Sequence, residues 1–212
     1  MPGDRYHHGN LPTALVQAGL AAARSGGPAA LQLRELAAAA GVSPSAVYRH
    51  FPDIAHLSAE VSREAREALA AAMLEAAAKV VEDPLDPGMG AIRRLDAIGR
   101  AYIRFAEQEP QLFDTAFMEA GAAPSAEDDP SAWGVLTEAL DELVRVGELD
   151  PARRHDAALI AWSAVHGLSG ILLRRMLLPP HLPADAVDAT LAGVRSALML
   201  RHPPERLATP PR

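Results

Sequence analysis

The chain has 212 residues, a formal net charge of −7 and no cysteine, which excludes disulfides, thiolate metal sites and a Cys nucleophile together. Hydrophobic residues make up 49% and aromatics only 4%, with Ala and Leu dominant, so the composition predicts an all-α fold long enough to bury a real core. The opening "MPGDRYHHGN" has no apolar run behind its charge, which excludes a secretory signal and makes a cytoplasmic protein the expectation.

In chain order, Asn10 can cap a first helix over about residues 11–25, with Leu11, Leu15, Ala18 and Ala22 on one face. Pro12 is tolerated in its first turn, and Gly26-Gly27-Pro28 ends it. A second helix is expected over 33–40 and a third over 44–50, and Pro52-Asp53 breaks the chain before a long helix over 54–81. "EDPLDPGMG" (82–90) reads as a linker. Helices are then expected over 91–108, through Leu112 and Phe117, and over 132–147, 152–178 and 184–201. A polar loop fills 118–131, and the tail "HPPERLATPPR" is too proline-rich to pack.

The stretch "LRELAAAAGVSPSAVYRHF" (33–51) turns between two short helices in two or three residues. Ala37 is small enough for a close crossing, Gly41 can take positive φ, and Leu36, Val42 and Val47 can lock the pair. Ser43 can cap the third helix and Pro44 suits its first position. Such a unit holds a short helix at a fixed angle, able to enter a major groove N-terminus first. Any αα-hairpin could carry the same turn. Charge favours the DNA reading: residues 1–52 hold four arginines against Asp4 and Glu35, a balance of +2, while the rest holds 16 basic against 25 acidic residues, −9.

"YHHGNLPTALVQAGLAAARSGGPAALQLRELAAAAGVSPSAVYRHFPD" resembles the DNA-binding domain of the TetR family of transcriptional repressors from Tyr6 to about Leu57. The later part is similar to a branch with a Trp-x-x-x-His-Gly motif, here "WSAVHG" at 162–167, and to that branch's "AYIRFAEQEPQLFDTAF" (101–117). The resemblance implies a three-helix helix-turn-helix domain (1–53), a larger helical ligand-binding and dimerisation domain (54–202) and a disordered tail (203–212). It implies double-stranded operator DNA, a small-molecule effector and a second copy of the chain as partners.

Arg34, Ser43, Pro44, Ser45, Ala46, Tyr48, Arg49 and His50 are the expected DNA-binding residues. Ser45 and Ala46 open the presumed recognition helix, where Ser can meet several bases and Ala a thymine methyl. The family roles carried to Tyr48 and His50 are phosphate contacts; support of the three-helix core is the other reading of Tyr48. Where the family usually has Ser or Thr before the second helix this chain has Gln32 and Leu33, and Ile54 stands where it usually has Lys. Each departure is expected to remove a backbone contact, placing more weight on Arg5, His7 and His8.

Ile103, Phe105, Phe113, Phe117, Trp133, Trp162 and His166 are the candidate lining of a mainly apolar effector pocket, core packing being the alternative for each. Residues 157–173 carry no Asp, Glu, Lys or Arg, but the run is short for a membrane span. Ser163, Gly167 and Gly170 form a small-residue stripe that suits a close helix approach. With Val187, Leu191, Val194 and Leu198 it reads as a homodimer interface, matching the family's intersubunit four-helix bundle. "GMGAIR" lacks the third glycine of a dinucleotide loop and "GLSG" lacks a nucleophile elbow, so neither cofactor nor enzyme is expected; His7-His8 has no third metal ligand at a useful spacing. The expectation is a repressor released by a small apolar or amphipathic ligand. The alternative is a helical small-molecule-binding protein with weakened or lost operator binding.

Overall fold

A computed structural model describes residues 11–81, 83–118, 131–173 and 184–200. Every regular element among them is helical: α1 Leu11–Gly26, α2 Leu33–Ala39, α3 Pro44–Val47, α4 Ile54–Ala78, α5 Pro87–Gln108, α6 Pro110–Ala116, α7 Ala132–Arg145, α8 Arg154–Leu173 and α9 Ala186–Leu198. Single turns of 3-10 helix, Gly27–Ala30 and Pro151–Arg153, follow α1 and precede α8. The N-terminal arm with Arg5, His7 and His8, most of the polar loop and the proline-rich tail lie outside the described residues.

Two compact units divide the chain. The first holds the residues up to Leu69 together with Gln108–Pro130. In it Leu15, Leu20, Leu36, Val47, Leu57 and Val61 form the core. A Cβ on Gly19 would meet a Val61 methyl at 2.4 Å, so glycine lets α1 approach α4. α6 packs on α1 and the turn after it, and its end is pinned where Ser62 Oγ donates to the Ala116 carbonyl at 3.2 Å, with Arg66 donating to the same oxygen.

The second unit holds Ala70–Glu107 and the residues from Ser131 onward, and it is cross-tied by ion pairs. α5 joins α7 through Arg94–Glu142 and α9 through Asp96–Arg195 and Arg100–Asp188. α7 joins α8 through Arg154–Asp141 at 2.7 Å, which holds the Asp141 carboxyl below the usual carboxylate range. Arg153 donates to the carbonyls of Ala197 and Leu198, capping the end of α9.

Three expectations are corrected. The linker 82–90 is half helix: Asp86 Oδ1 accepts from the Met89 N–H at 3.0 Å and Pro87 takes the first helical turn, so Gly88 and Gly90 are buried helical residues. The third helix is shorter than 44–50, closing at Val47 with turn hydrogen bonds from Arg49, His50 and Phe51. The apolar face of α9 is interior: Leu191, Val194 and Leu198 are buried inside the second unit, because Gly99 on α5 leaves room for Leu191, whose Cδ2 a Cβ would meet at 2.7 Å.

Candidate nucleic-acid interface and ligand site

The turn between α2 and α3 is built by backbone chemistry. The Gly41 N–H donates to Ala38 at 3.0 Å and the Val42 N–H to Ala37 at 2.9 Å, the paired bonds of a Schellman ending, with Gly41 at φ +71°. Ser43 then accepts from the Ala46 N–H at 3.3 Å through its hydroxyl, and Pro44 takes the first helical position. Val47, fully buried, fastens the short helix beneath. By contrast Gln32 gives α2 no side-chain cap.

The expected DNA-binding residues are mostly exposed. Arg34, Ser43, Pro44, Ser45, Arg49 and His50 are exposed and Ala46 is half-buried. Tyr48 is 57% exposed, too open to be a core support. The Ser45 hydroxyl lies 2.9 Å from that of Ser43, which orients it at the front of α3. Ile54 is half-buried in the first turn of α4, where Asp53 accepts from both the backbone N–H and the ring Nδ1 of His56 at 3.0 and 2.8 Å. The hydrogen bond from His56 holds the Asp53 carboxyl below its ordinary range.

In the second unit, an apolar cavity of about 20 Å³ is walled by α5, α8 and α9, with Met73 and Leu136 from α4 and α7. Its volume suits about one water molecule, well below the few hundred Å³ of a filled ligand pocket. Asp96 is the one charged residue in its wall. Tyr102 is buried there, with its hydroxyl 2.7 Å from His166 Nδ1; burial pushes the phenol pKa far up. Trp162 lies parallel to His166 (7° between planes, centroids 5.7 Å apart) and meets Tyr102 and Trp133 edge-on, each at 5.5 Å.

Of the residues expected to line a pocket, Trp162 is in the wall, with Trp133 and His166 behind it in ring contact. Ile103 is buried and Phe105 half-buried, both off the cavity. Phe113 and Phe117 pair with each other at 4.9 Å in the first compact unit. Sequence reasoning missed Tyr102, Asp96 and Gly99. The spacing Leu95, Ile98, Gly99, Tyr102 is the helical face that could have found Gly99 and Tyr102.

Residues 15–61 match the family described as "Bacterial regulatory proteins, tetR family", and residues 95–195 match "Tetracyclin repressor-like, C-terminal domain". The chain belongs to the TetR family of transcriptional regulators. Its fold is similar to that of a protein of unknown function from Rhodococcus sp. RHA1 (25% identity, TM-score 0.72), covering 92% of this chain and 99% of that one. It is also similar to a TetR family transcription regulator from Marinobacter aquaeolei VT8 (17% identity, TM-score 0.61, covering 89% and 95%). A TetR transcriptional regulator from Rhodococcus sp. RHA1 matches at 20% identity and TM-score 0.53, again covering 89% and 95%. No protein of curated function matches the chain. As a TetR-family member the chain is a DNA-binding regulator and not an enzyme.

Proposed function

We propose that this TetR-family regulator is a homodimeric, cytoplasmic repressor that leaves its operator when a small apolar or amphipathic ligand binds. The observation that carries the DNA-reading part is the exposure of Arg34, the start of α3, Tyr48, Arg49 and His50 around the α2–α3 turn, in an N-terminal quarter whose balance is +2 against −9 for the rest. Ser45 and Ala46 would face base edges, and Arg34, Tyr48 and His50 would hold phosphates. The reading domain is residues 1–53, with ligand binding and dimerisation in 54–202.

Dimerisation is supported by what α8 and α9 leave open. Leu159, Ile160, Ser163, Gly167 and Ile171 are exposed on α8, and Ala189, Gly193, Ser196 and Ala197 on α9. A Cβ on Gly167, Gly170 or Gly193 would meet nothing within 4 Å. Pro151–Leu173 is also long and apolar enough to cross a membrane, but an open stripe of small residues is better covered by a second pair of helices. Ligand release would work through α4, which carries Met73 at the cavity wall and Val61 at the α1 contact on one continuous helix. A ligand shifts that equilibrium only by its differential affinity for the two states.

Selection of genomic fragments by the purified full chain tests this reading. It predicts enrichment of an inverted repeat whose half-sites are about 34 Å apart, one turn of DNA. Fragments with no common repeat would favour the alternative, a ligand-binding protein that has lost operator binding, which Gln32 and Ile54 make reasonable.

A further inference from the structure

Among the described residues that wall the cavity of the second unit, all are buried except Asp96 and Trp162. These two are where the wall reaches the surface. Asp96 is bonded to Arg195, and both side chains are largely covered. Parting a covered ion pair strands two charges, so that side is firmly shut. Trp162 is held differently. Its ring lies parallel to that of His166, one helical turn on, and meets the edges of Tyr102 and Trp133. Each such ring contact is individually weak. The rings also differ in burial: Tyr102 is buried and hydrogen-bonded to His166, while Trp133, in the first turn of α7, is 41% exposed. Trp162 stands between an anchored inner ring and an outer ring with solvent to yield into.

We propose that Trp162 is the door of this cavity, with His166 as the stop its ring rests against and Trp133 as the outer ring that moves with it. The Trp-x-x-x-His spacing has a mechanical reason here: residues four apart are neighbours on one helix face, so α8 supplies door and stop together. At about 20 Å³ the cavity holds no more than a water molecule, so anything larger needs a wall residue to move. Swinging the indole out of the wall opens a path to solvent and adds its own volume to the space. Tyr102 positions the stop through its 2.7 Å hydrogen bond to His166 Nδ1. This rests on the effector-release reading above and adds the route of entry, which can be measured without effector or DNA.

The chain has no cysteine, so Val165→Cys places a single thiol in the buried wall. Its reaction with methyl methanethiosulfonate, a small neutral reagent, is followed by mass spectrometry in the full chain at several low urea concentrations. The proposal expects reaction about 100-fold slower than for a free thiol, at a rate independent of urea, as local opening requires. Adding Trp162→Ala should raise that rate about tenfold or more, and so should Trp133→Ala, which alters an exposed ring off the wall and serves if Trp162→Ala does not fold. Leu140→Ala, at a fully buried residue off the wall, lowers stability and should leave the urea-independent rate unchanged. A rate that climbs with urea from the outset would mean that the wall is reached by unfolding. Equal rates in the Trp162 and Trp133 variants and their parent would place the entrance elsewhere, and a parent thiol as fast as a free one would leave no door to open. Each result overturns the proposal. The effector-release reading fails separately, if no small molecule releases the selected DNA fragment.

Discussion

Gly41 shows how much of the reading head rests on single residues. Its φ of +71° is a left-handed conformation, and a Cβ there would meet nothing within 4 Å, so any penalty for a side chain is conformational. Gly41→Ala should cost about 1–2 kcal/mol, read as a lower midpoint in chemical denaturation. At the other end of α2, Gln32 makes no cap bond. Gln32→Thr should therefore stabilise by ~1 kcal/mol and raise the melting temperature by about 2–4 °C. Tyr102 works in the alkaline direction. Burial raises its folded pKa above the unfolded value of about 10, so its contribution is complete below that pH and is lost as pH climbs beyond it. Wild type should weaken between pH 9 and 11 in urea denaturation, and Tyr102→Phe should weaken less. Gly41, Ser43 and Pro44 were legible in the sequence because caps and positive-φ turns depend on local residue identity. Arg195 was not, because its pairing with Asp96, 99 residues away, leaves no trace in spacing.

Elements carry the next lesson. The three-helix reading unit was legible because α1, α2 and α3 are delimited by Gly26, Gln32, Gly41 and Pro44 within a short stretch. The start of α5 was misread because Pro and Gly in "DPGMG" look like a linker, yet Asp86 caps a helix whose first glycines are buried by packing. The apolar stripe on α9 was assigned to the wrong side: periodicity finds a buried face but does not say whether the subunit or its partner buries it. What remains open on α8 is apolar, with Leu159, Ile160 and Ile171 beside the small Ser163 and Gly167. Gly167→Arg, with nothing near its Cβ, should leave the subunit folded and weaken self-association about 100-fold, the effect of a charge desolvated without a partner. Sedimentation velocity over a concentration series reads this directly. Unchanged association would move the interface elsewhere.

On the scale of the whole molecule, a net charge of −7 and a DNA-binding function coexist because charge is segregated: +2 over residues 1–52 and −9 over the remainder. The acidic remainder limits non-specific attachment to DNA, while the reading head supplies a few placed cations. Ile54 adds no charge to it. Binding should thus be salt-sensitive with a modest slope set by residues such as Arg34. The most direct measurement is a salt titration of the full chain on its selected DNA fragment, with Arg34→Ala and Tyr48→Ala beside it. The account predicts affinity falling linearly on a log–log plot, about two fewer counterions released per dimer for Arg34→Ala, and for Tyr48→Ala a lower affinity at unchanged slope. Affinity no greater than for random DNA, or indifferent to both substitutions, would contradict it.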